Sequence, residues 1–166
     1  MPGRRRHPGN KDAEQEDATQ GKLPRGFSEE GGDEVNTISI SEALTLLREK
    51  LDDPDRPSGA AAKDGANPVL QKTMEYLDTF SRYKDLDTVR QLRTLLIENS
   101  EANAYDEEGN ETDSLGLTGF ERAQLANLAV ETVEEAKNLI PTLEPRDDQK
   151  LQQLIDELST LRKFQA

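Results

Sequence analysis

The side chains that most often carry out chemistry are scarce in this sequence. Its 166 residues contain no cysteine and a single histidine, His7, which follows three arginines near the start. Zinc sites usually need several histidine or thiolate ligands, and general bases are most often histidines, so the sequence argues against both types of site. The sequence also lacks a glycine-rich phosphate loop. We therefore expect no catalytic residue, no metal site, no cofactor and no small-molecule substrate.

The densest group of oxygen ligands is an acidic run at residues 100–116, which reads SEANAYDEEGNETDSLG. Carboxylates around a glycine can bind calcium in an EF-hand loop, whose sixth residue is glycine and whose twelfth is a bidentate glutamate. Placing Gly109 sixth puts Ala104 first and Leu115 twelfth. Because neither side chain can bind calcium, we interpret the run as a solvated loop inserted between two helices.

Two short segments combine cations with aromatic rings, a combination that can bind single-stranded RNA through stacking and phosphate contacts. One is FSRYK at residues 80–84, and the other contains Arg162, Lys163 and Phe164. Cations near the end of a helix also complement the helix dipole, while nearby aromatic rings often fill a core. Both interpretations stay open, and Arg162 and Lys163 are the candidate RNA contacts.

Apolar residues divide the chain into two unequal parts. Leu, Ile, Val and Phe together number 9 in residues 1–66 and 26 in residues 67–166. Only the second part has enough apolar side chains to form a core by itself. The predicted organisation is a disordered arm at 1–22, a partner-docking segment with the first helix at 23–52, a flexible linker at 53–66, and a helical domain at 67–166 with the acidic loop at 100–116.

The charge of the chain favours a protein partner. The net charge is −13, and it is uneven, because residues 1–25 carry +2 and the remainder −15. An acidic body repels a phosphate backbone, which argues against nucleic-acid binding by the whole protein. No apolar run approaches the 18 residues or so of a membrane span, and polar residues follow the arginines where a signal peptide would be apolar. We therefore expect a soluble intracellular protein that does not bind membranes.

Helix-start signals and apolar spacing predict the secondary structure. Ser39 with Glu42, Thr118 with Glu121, and Thr132 with Glu135 each fit a capping box, in which two residues three apart satisfy unpaired N–H groups. Asn67-Pro68 and Asp147 or Asp148 are further start signals. A helix at about 40–51 and five more starting near residues 68, 87, 119, 132 and 148 make the fold all-α, with the last five as a bundle. The expected inward residues include Leu70, Met74, Leu77, Phe80, Val89, Leu92, Leu96, Leu151, Leu154, Ile155, Leu158 and Leu161.

The first helix poses a packing problem. Its apolar stripe extends over about three turns, and a linker separates it from the predicted domain. A helix of that length is marginal in water unless its stripe is buried. The stripe must therefore pack back on the domain or against another protein, and we favour another protein. The stripe consists of Ile40, Ala43, Leu44, Leu47 and Leu51.

Several segments in the same order resemble the fourth-subunit family of eukaryotic RNA polymerase II. In the C-terminal half these are KTMEYLDTFSRYKD at residues 72–85, then GFERAQLANL, ETVEEAKNLIPTLE and LQQLIDELSTLRKF. Upstream, EDATQGKLPRGF at residues 16–27 resembles the family's N-terminal signature, and TISISEALTLL resembles its first helix. The resemblance covers roughly residues 14–164, and the acidic loop departs from the family's shorter connection.

The resemblance implies a non-catalytic subunit of a nuclear polymerase. The family pairs with the seventh subunit to form a stalk, like the archaeal subunits F and E, and through that subunit it joins the polymerase core. It supports initiation, and nascent RNA is handled mainly by the partner. The helical domain is then expected to be HRDC-like, with the arm and first helix lying across the partner. The implied partner-binding residues are Leu23, Phe27, Ile38, Ile40, Leu44, Leu47 and Leu51.

Two alternatives remain at the level of sequence. One is the equivalent stalk subunit of RNA polymerase III, although the arm and the terminal LSTLRKF resemble the polymerase II branch more. The other is an autonomous HRDC-type nucleic-acid-binding module, which the net negative charge and the lack of a helicase domain disfavour. We expect a nuclear location, and a cytoplasmic pool stays open. Arg4, Arg5 and Arg6 with His7 are either a nuclear-import signal or a solvated terminus.

Overall fold

A computed structural model describes residues 37–53 and 67–165, which all belong to one compact unit, Asn36–Ala166. The predicted arm, Leu23, Phe27 and nearly all of the linker lie outside these described residues. The described residues form α1 (Ile40–Asp52), α2 (Pro68–Phe80), α3 (Leu86–Glu98), α4 (Gly119–Leu128), α5 (Val133–Leu139) and α6 (Asp148–Lys163), with short 3₁₀ helices at Glu101–Asn103 and Pro141–Leu143. They contain no β-strand beyond isolated bridges, which confirms the all-α class.

Two of the predicted capping boxes are confirmed in full. At the start of α1, the Glu42 N–H donates to Ser39 Oγ at 3.1 Å, and the Ser39 N–H donates to the Glu42 carboxylate at 2.8 Å. At the start of α4, the Glu121 N–H donates to Thr118 Oγ1 at 3.2 Å, and the Thr118 N–H donates to Glu121 at 2.9 Å. Both helices therefore begin where the sequence signal places them, because the signal satisfies N–H groups that the helix leaves unpaired.

The third predicted box, before α5, forms only by half. Thr132 Oγ1 accepts the Glu135 N–H at 3.2 Å, but the Glu135 carboxylate accepts from the N–H of Glu131 at 2.9 Å and not from that of Thr132. The tight turn after α4 brings the Glu131 N–H within reach of the carboxylate. The helix start is still stabilised, with its reciprocal bond one residue earlier in the chain.

The helix α3 begins slightly earlier than the sequence predicts. Its cap is Asp85, whose carboxylate accepts the backbone N–H and the hydroxyl of Thr88, both at 2.9 Å. These bonds favour the ionised carboxylate and so lower the pKa of Asp85, with the backbone N–H of Thr88 as the largest cause. The predicted start near Asp87 therefore agrees with the structure to within one residue, because Leu86 already belongs to the helix.

The core lies between α3, α4, α5 and α6. On α6 the residues Leu151, Leu154, Ile155 and Leu158 are all buried, as the spacing predicts. Tyr83 is also buried, and its hydroxyl donates to the carbonyl of Leu158 at 3.1 Å. The other buried core side chains are Val89, Leu92, Leu96, Leu115, Leu117, Leu125, Ala126, Val130, Ala136, Ile140 and Leu143.

One predicted core residue, Phe80, faces solvent instead. Its side chain is 47% exposed, and its ring packs against the ring of Tyr76 with 4.7 Å between centroids. The helix α2 ends at Phe80, and the chain turns at Ser81, so the place beneath the helix end goes to Tyr83 instead. Leu77 keeps its predicted inward position.

The acidic run forms a turn that is held by its own hydrogen bonds. Tyr105 and Glu111 form an antiparallel bridge, and between them the Asp106 carboxylate accepts the N–H groups of Glu108 at 2.9 Å and Asn110 at 2.8 Å. The bonds from Asn110 are the main reason that the pKa of Asp106 is lowered. Gly109 has φ +82°, a conformation that glycine adopts without strain. Leu115 then returns the chain to the core.

A buried ion pair joins the start of α4 to the segment before α6. Glu121 is 1% exposed, and its carboxylate lies 3.0 Å from Arg146 Nη2. Arg146 Nη1 also donates to the carbonyl of Leu115 at 3.3 Å. One guanidinium therefore holds the helix start and the end of the acidic loop together.

The chain enters α1 by passing very close to the start of α4. A Cβ atom placed on Gly119 would lie only 2.6 Å from Thr37 Oγ1, a separation that side chains do not tolerate. Nearby, the N–H of Ile40 donates to Asn127 Oδ1 at 2.9 Å. The absence of a side chain at position 119 therefore allows α1 to dock on the bundle.

Candidate protein-interaction surface

The inner side of α1 packs within this chain. Leu44 is 1% exposed, and α1 contacts α2, α3 and α4. The expectation that Leu44 inserts into a partner is therefore not met, because the bundle already buries its side chain. The missing information was the position of α2, which the linker allows to fold back against α1.

Buried polar groups also hold the inner side of α1 against the bundle. Ser81 Oγ donates to the carbonyl of Tyr83 at 2.8 Å, so the 3.0 Å contact between Ser81 Oγ and Ser41 Oγ uses the hydrogen of Ser41. Ser41 Oγ in turn accepts the N–H of Tyr83 at 3.1 Å. Every hydroxyl in this network has a partner, and the turn after α2 is thereby tied to α1.

Two ion pairs hold α1 from both sides. Arg48 Nη2 lies 2.8 Å from Asp78 on α2, and Arg93 on α3 lies 2.7 Å from the carboxylate of Glu42. Glu42 is also the capping residue of α1, so a single carboxylate serves the helix start and the contact with α3. Pairs with an exposed arginine add little stability, and both of these form in the rotation that α1 adopts on the bundle.

That rotation leaves one side of α1 open, which we call the α1 face. It consists of Ala43, Leu46, Leu47 and Lys50, whose spacing places them on one side of the helix. Leu46 is 53% exposed, while Ala43 and Leu47 are partly buried. An apolar strip with a lysine at its edge is suited to packing against another protein. Leu46 was absent from the predicted stripe, whereas Ala43 and Leu47 were part of it.

The other predicted partner-binding residues on the described chain differ in exposure. Ile38, just before α1, is 40% exposed and so is available to a partner. Ile40 and Leu51 are partly buried. The structure thus leaves Ile38 exposed, buries Leu44 within the chain, and holds Ile40, Leu47 and Leu51 between these extremes.

A second exposed apolar strip, on α2, was not predicted from the sequence. Val69, Tyr76 and Phe80 are 71%, 55% and 47% exposed, and with Thr73 their spacing places them on one side of the helix. The apolar residues of α2 occupy more of its circumference than one neighbouring helix can cover. The signal was present in the width of the apolar sector, which predicts contacts on two sides.

The structure gives the candidate RNA contacts different roles. Arg162 Nη1 donates to the carbonyl of Ala129 at 2.8 Å, and Arg162 Nη2 lies 3.4 Å from Glu131, so this guanidinium closes the turn after α4. Lys163 is exposed, and so is Phe164. An arginine already bonded to a carbonyl and a carboxylate is a poor phosphate ligand, which leaves Lys163 as the available cation of the two.

The two segments that combine cations with aromatic rings lie side by side. The Lys84 N–H donates to Gln165 Oε1 at 2.8 Å, and Gln165 Nε2 donates to the carbonyl of Arg82 at 3.0 Å. The end of α6 is therefore clamped to the turn after α2. Electrostatically this is a local cationic spot on an acidic molecule.

The described ranges, 37–53 and 67–165, contain no group of three or more His, Asp or Glu side chains that could hold a metal ion. Within the same ranges, no helix is long and apolar enough to cross a membrane. The exposed apolar side chains on α1 and α2 suit packing against another macromolecule.

Comparison with known proteins agrees with this interpretation. The sequence model of the RNA polymerase Rpb4 family matches residues 37–162. The DNA-directed RNA polymerase II subunit rpb4 of Schizosaccharomyces pombe is 36% identical over 152 residues, which cover 91% of this chain and 95% of that protein.

Two further relatives match a shorter region. The RNA polymerase II subunit rpb4 of Dictyostelium discoideum is 43% identical over 96 residues, covering 58% of this chain and 52% of the relative. Subunit RPB4 of Saccharomyces cerevisiae is 40% identical over 98 residues, covering 58% of this chain and 37% of the relative. With the family match extending from the residue before Ile38 to Arg162, and so into every one of the six described helices, this chain belongs to the RNA polymerase Rpb4 family.

Proposed function

We propose that this chain pairs with the seventh subunit of RNA polymerase II to form the polymerase stalk, and thereby supports transcription initiation and the handling of nascent RNA. The α1 face carries the proposal, because it presents an exposed Leu46 beside partly buried Ala43 and Leu47 on a helix whose opposite side is fixed in the bundle. Leu23 and Phe27, which lie outside the described residues, are proposed to extend the same contact.

The coarser statement follows from the family. Membership of the Rpb4 family makes this chain a non-catalytic subunit of an RNA polymerase and a transcription protein. The relatives named above are subunits of RNA polymerase II, which supports the same polymerase and a nuclear location for this chain. The HRDC-like description of the helical domain remains part of the proposal, as does a cytoplasmic pool.

A matched pair of double variants tests the docking surface. Ile38→Asp with Leu46→Asp places two carboxylates at positions that are 40% and 53% exposed. Leu128→Asp with Leu139→Asp does the same at 39% and 54% on α4 and α5. Melting curves of each full-length variant first establish that it is folded. Each variant is then co-expressed with the seventh subunit, and co-purification of the two chains is measured.

We expect the first pair to weaken heterodimer formation by about tenfold or more, since burying a carboxylate in an apolar interface costs several kcal/mol. The control pair should leave it within about threefold of wild type. Equal binding of the seventh subunit by both double variants would show that the α1 face is not part of the interface.

The identity of the polymerase is tested separately. Affinity purification of the full chain from nuclear extract, followed by mass spectrometry of the largest co-purifying subunits, distinguishes polymerase II from polymerase III. We expect the large subunits of polymerase II. Recovery of the polymerase III subunits in their place would support the alternative stalk.

A further inference from the structure

A groove runs along the junction of α3 and α6, on a side of the bundle that the proposed stalk contact does not use. Its volume is about 600 Å³, within the range of sites that hold small ligands or a few residues of a peptide. Arg93 of α3 points to Glu42 on α1, whereas Leu95 and Glu98 of the same helix line the groove. The α1 face and the groove therefore share no residue.

The floor of the groove is apolar. Leu95 from α3 and Leu161 from α6 are partly buried and pack against the hydrophobic core from outside. Because the core holds both leucines in place, they form a rigid apolar surface that is open to solvent on one side. An aliphatic or aromatic side chain placed there would remove apolar area from water on both partners.

The rim of the groove is acidic. Glu98, Asp156 and Glu157 contribute three carboxylates, against one cation, Arg90. Arg90 lies 3.4 Å from the exposed carboxylate of Asp87, which offsets part of its charge. Neither Glu98 nor Glu157 has a hydrogen bond or an ion pair with the described residues, so their carboxylates are available to a ligand.

The two threonines between these carboxylates are acceptors as well, and the only neutral side-chain donor among the described lining residues is the amide of Gln91. The hydroxyl of Thr94 donates to the carbonyl of Arg90 at 3.1 Å, and the hydroxyl of Thr160 donates to that of Asp156 at 2.8 Å. Each threonine has therefore used its hydrogen within its own helix, and only oxygen lone pairs remain. A ligand that fits this rim supplies hydrogen-bond donors and positive charge.

We propose that the groove between α3 and α6 binds a basic peptide segment of another protein, with an apolar side chain on Leu95 and Leu161 and lysine or arginine side chains on Glu98 and Glu157. Charge complementarity selects this occupant, because three carboxylates repel acidic segments and nucleic-acid phosphates. The apolar floor gives the contact affinity, and the rim restricts it to cationic sequences.

Three labelled twelve-residue peptides serve as probes of the full-length chain in fluorescence anisotropy. The first alternates lysine and leucine, the second replaces lysine by glutamate, and the third replaces leucine by serine. We expect saturable binding of the first peptide and binding at least about tenfold weaker for the other two. The second peptide lacks the positive charge that the rim attracts, and the third lacks the apolar side chains that the floor would bury.

Charge-reversal variants locate the site. Glu98→Lys with Glu157→Lys should weaken binding of the lysine-leucine peptide by about tenfold, as expected when two exposed attractions become repulsions. The control, Glu49→Lys with Glu75→Lys on α1 and α2, changes the net charge equally and should alter binding by less than about threefold.

Equal loss of binding in the two charge-reversed pairs would mean that overall charge attracts the peptide, and it would overturn the proposal. Equal binding of the lysine-serine peptide would show that the floor is not used, with the same consequence. Concentration-dependent dimerisation of the chain, abolished by Glu98→Lys with Glu157→Lys, would make a second copy the occupant and would also overturn it.

Discussion

At the scale of single residues, several polar side chains of this protein cap a helix and join it to a neighbouring segment. Glu42 and Glu121 each cap a helix and also pair with an arginine from elsewhere in the chain. They differ in burial, because the side chain of Glu42 is 12% exposed and that of Glu121 is 1% exposed. Removing one partner of an ion pair costs more stability when the other is left buried. Mutation of Glu121 should therefore destabilise the protein more than mutation of Glu42.

The Glu121–Arg146 pair provides the first prediction. Glu121→Gln keeps the size of the side chain but leaves Arg146 without its counter-charge, and we expect the free energy of unfolding to fall by about 3 kcal/mol. That lies at the low end for breaking a buried pair, because Arg146 keeps 23% exposure. Urea unfolding measures the change, and Asp87→Asn at the exposed pair with Arg90 is the control, with less than about 0.5 kcal/mol expected. Similar small losses in both variants would contradict a stabilising role for the buried pair.

Tyr83 provides a prediction about pH. Burial raises the pKa of its hydroxyl, with Arg162 acting weakly in the opposite direction. The folded state therefore keeps the proton at a pH where the unfolded chain, with a pKa of about 10, has lost it. Stability from this group is complete below pH 10 or so and is lost as the pH rises further.

Tyr83→Phe removes both the titration and the hydrogen bond to the carbonyl of Leu158. We expect it to cost about 1 kcal/mol at pH 7, and the difference from wild type should shrink above pH 10 or so. Urea unfolding at pH 7 and at high pH measures this. A difference that stays constant with pH would show that the hydroxyl titrates alike in both states.

At the scale of helices, capping could be predicted from sequence and packing partners could not. The caps of α1 and α4 involve residues three apart, so local sequence contains everything they need. The burial of Leu44 depends on α2, which follows after a linker, and the exposure of Leu46 follows from the same rotation. Apolar spacing places Leu44 inside the stripe and Leu46 outside it, but it cannot show whether the stripe is buried by α2 or by another protein.

The same pair of leucines provides a prediction for α1. Leu44→Ala should cost about 2–5 kcal/mol of folding free energy, as for other fully buried leucines. Leu46→Ala on the same helix should change it by less than about 0.5 kcal/mol in the isolated chain. Urea unfolding of both variants decides the matter. If the two variants have the same free energy of unfolding, the inner stripe of α1 is not buried within this chain and is available to a partner. The fragment from residue 67 onward would then also keep its melting temperature.

At the scale of the whole molecule, charge is the dominant property. The net charge of −13 disfavours contact with phosphates, and the cationic spot formed by the turn after α2 and the end of α6 is small by comparison. Composition predicts the sign and size of this field. It cannot predict that Arg162 donates a hydrogen bond to the carbonyl of Ala129, which lies 33 residues away in sequence.

We therefore expect the isolated chain to bind single-stranded RNA weakly, and the heterodimer to bind it more tightly with a clear dependence on salt. Lys163→Ala should reduce RNA binding by the heterodimer by less than about tenfold, the scale of one exposed phosphate contact. Fluorescence anisotropy with a labelled RNA at two salt concentrations measures both effects. Tight binding by the isolated chain, lost in Lys163→Ala, would instead assign RNA recognition to the end of α6.

The close approach of Gly119 to Thr37 couples the evolution of two distant sites. Because a Cβ at position 119 would lie 2.6 Å from the threonine oxygen, a side chain can be gained there only if the Thr37 side chain rotates, position 37 becomes smaller, or the chain before α1 moves away. A smaller residue at position 37 therefore makes a later gain of a side chain at position 119 less costly. The two positions are expected to vary together more often than unrelated positions do, although 82 residues separate them in sequence.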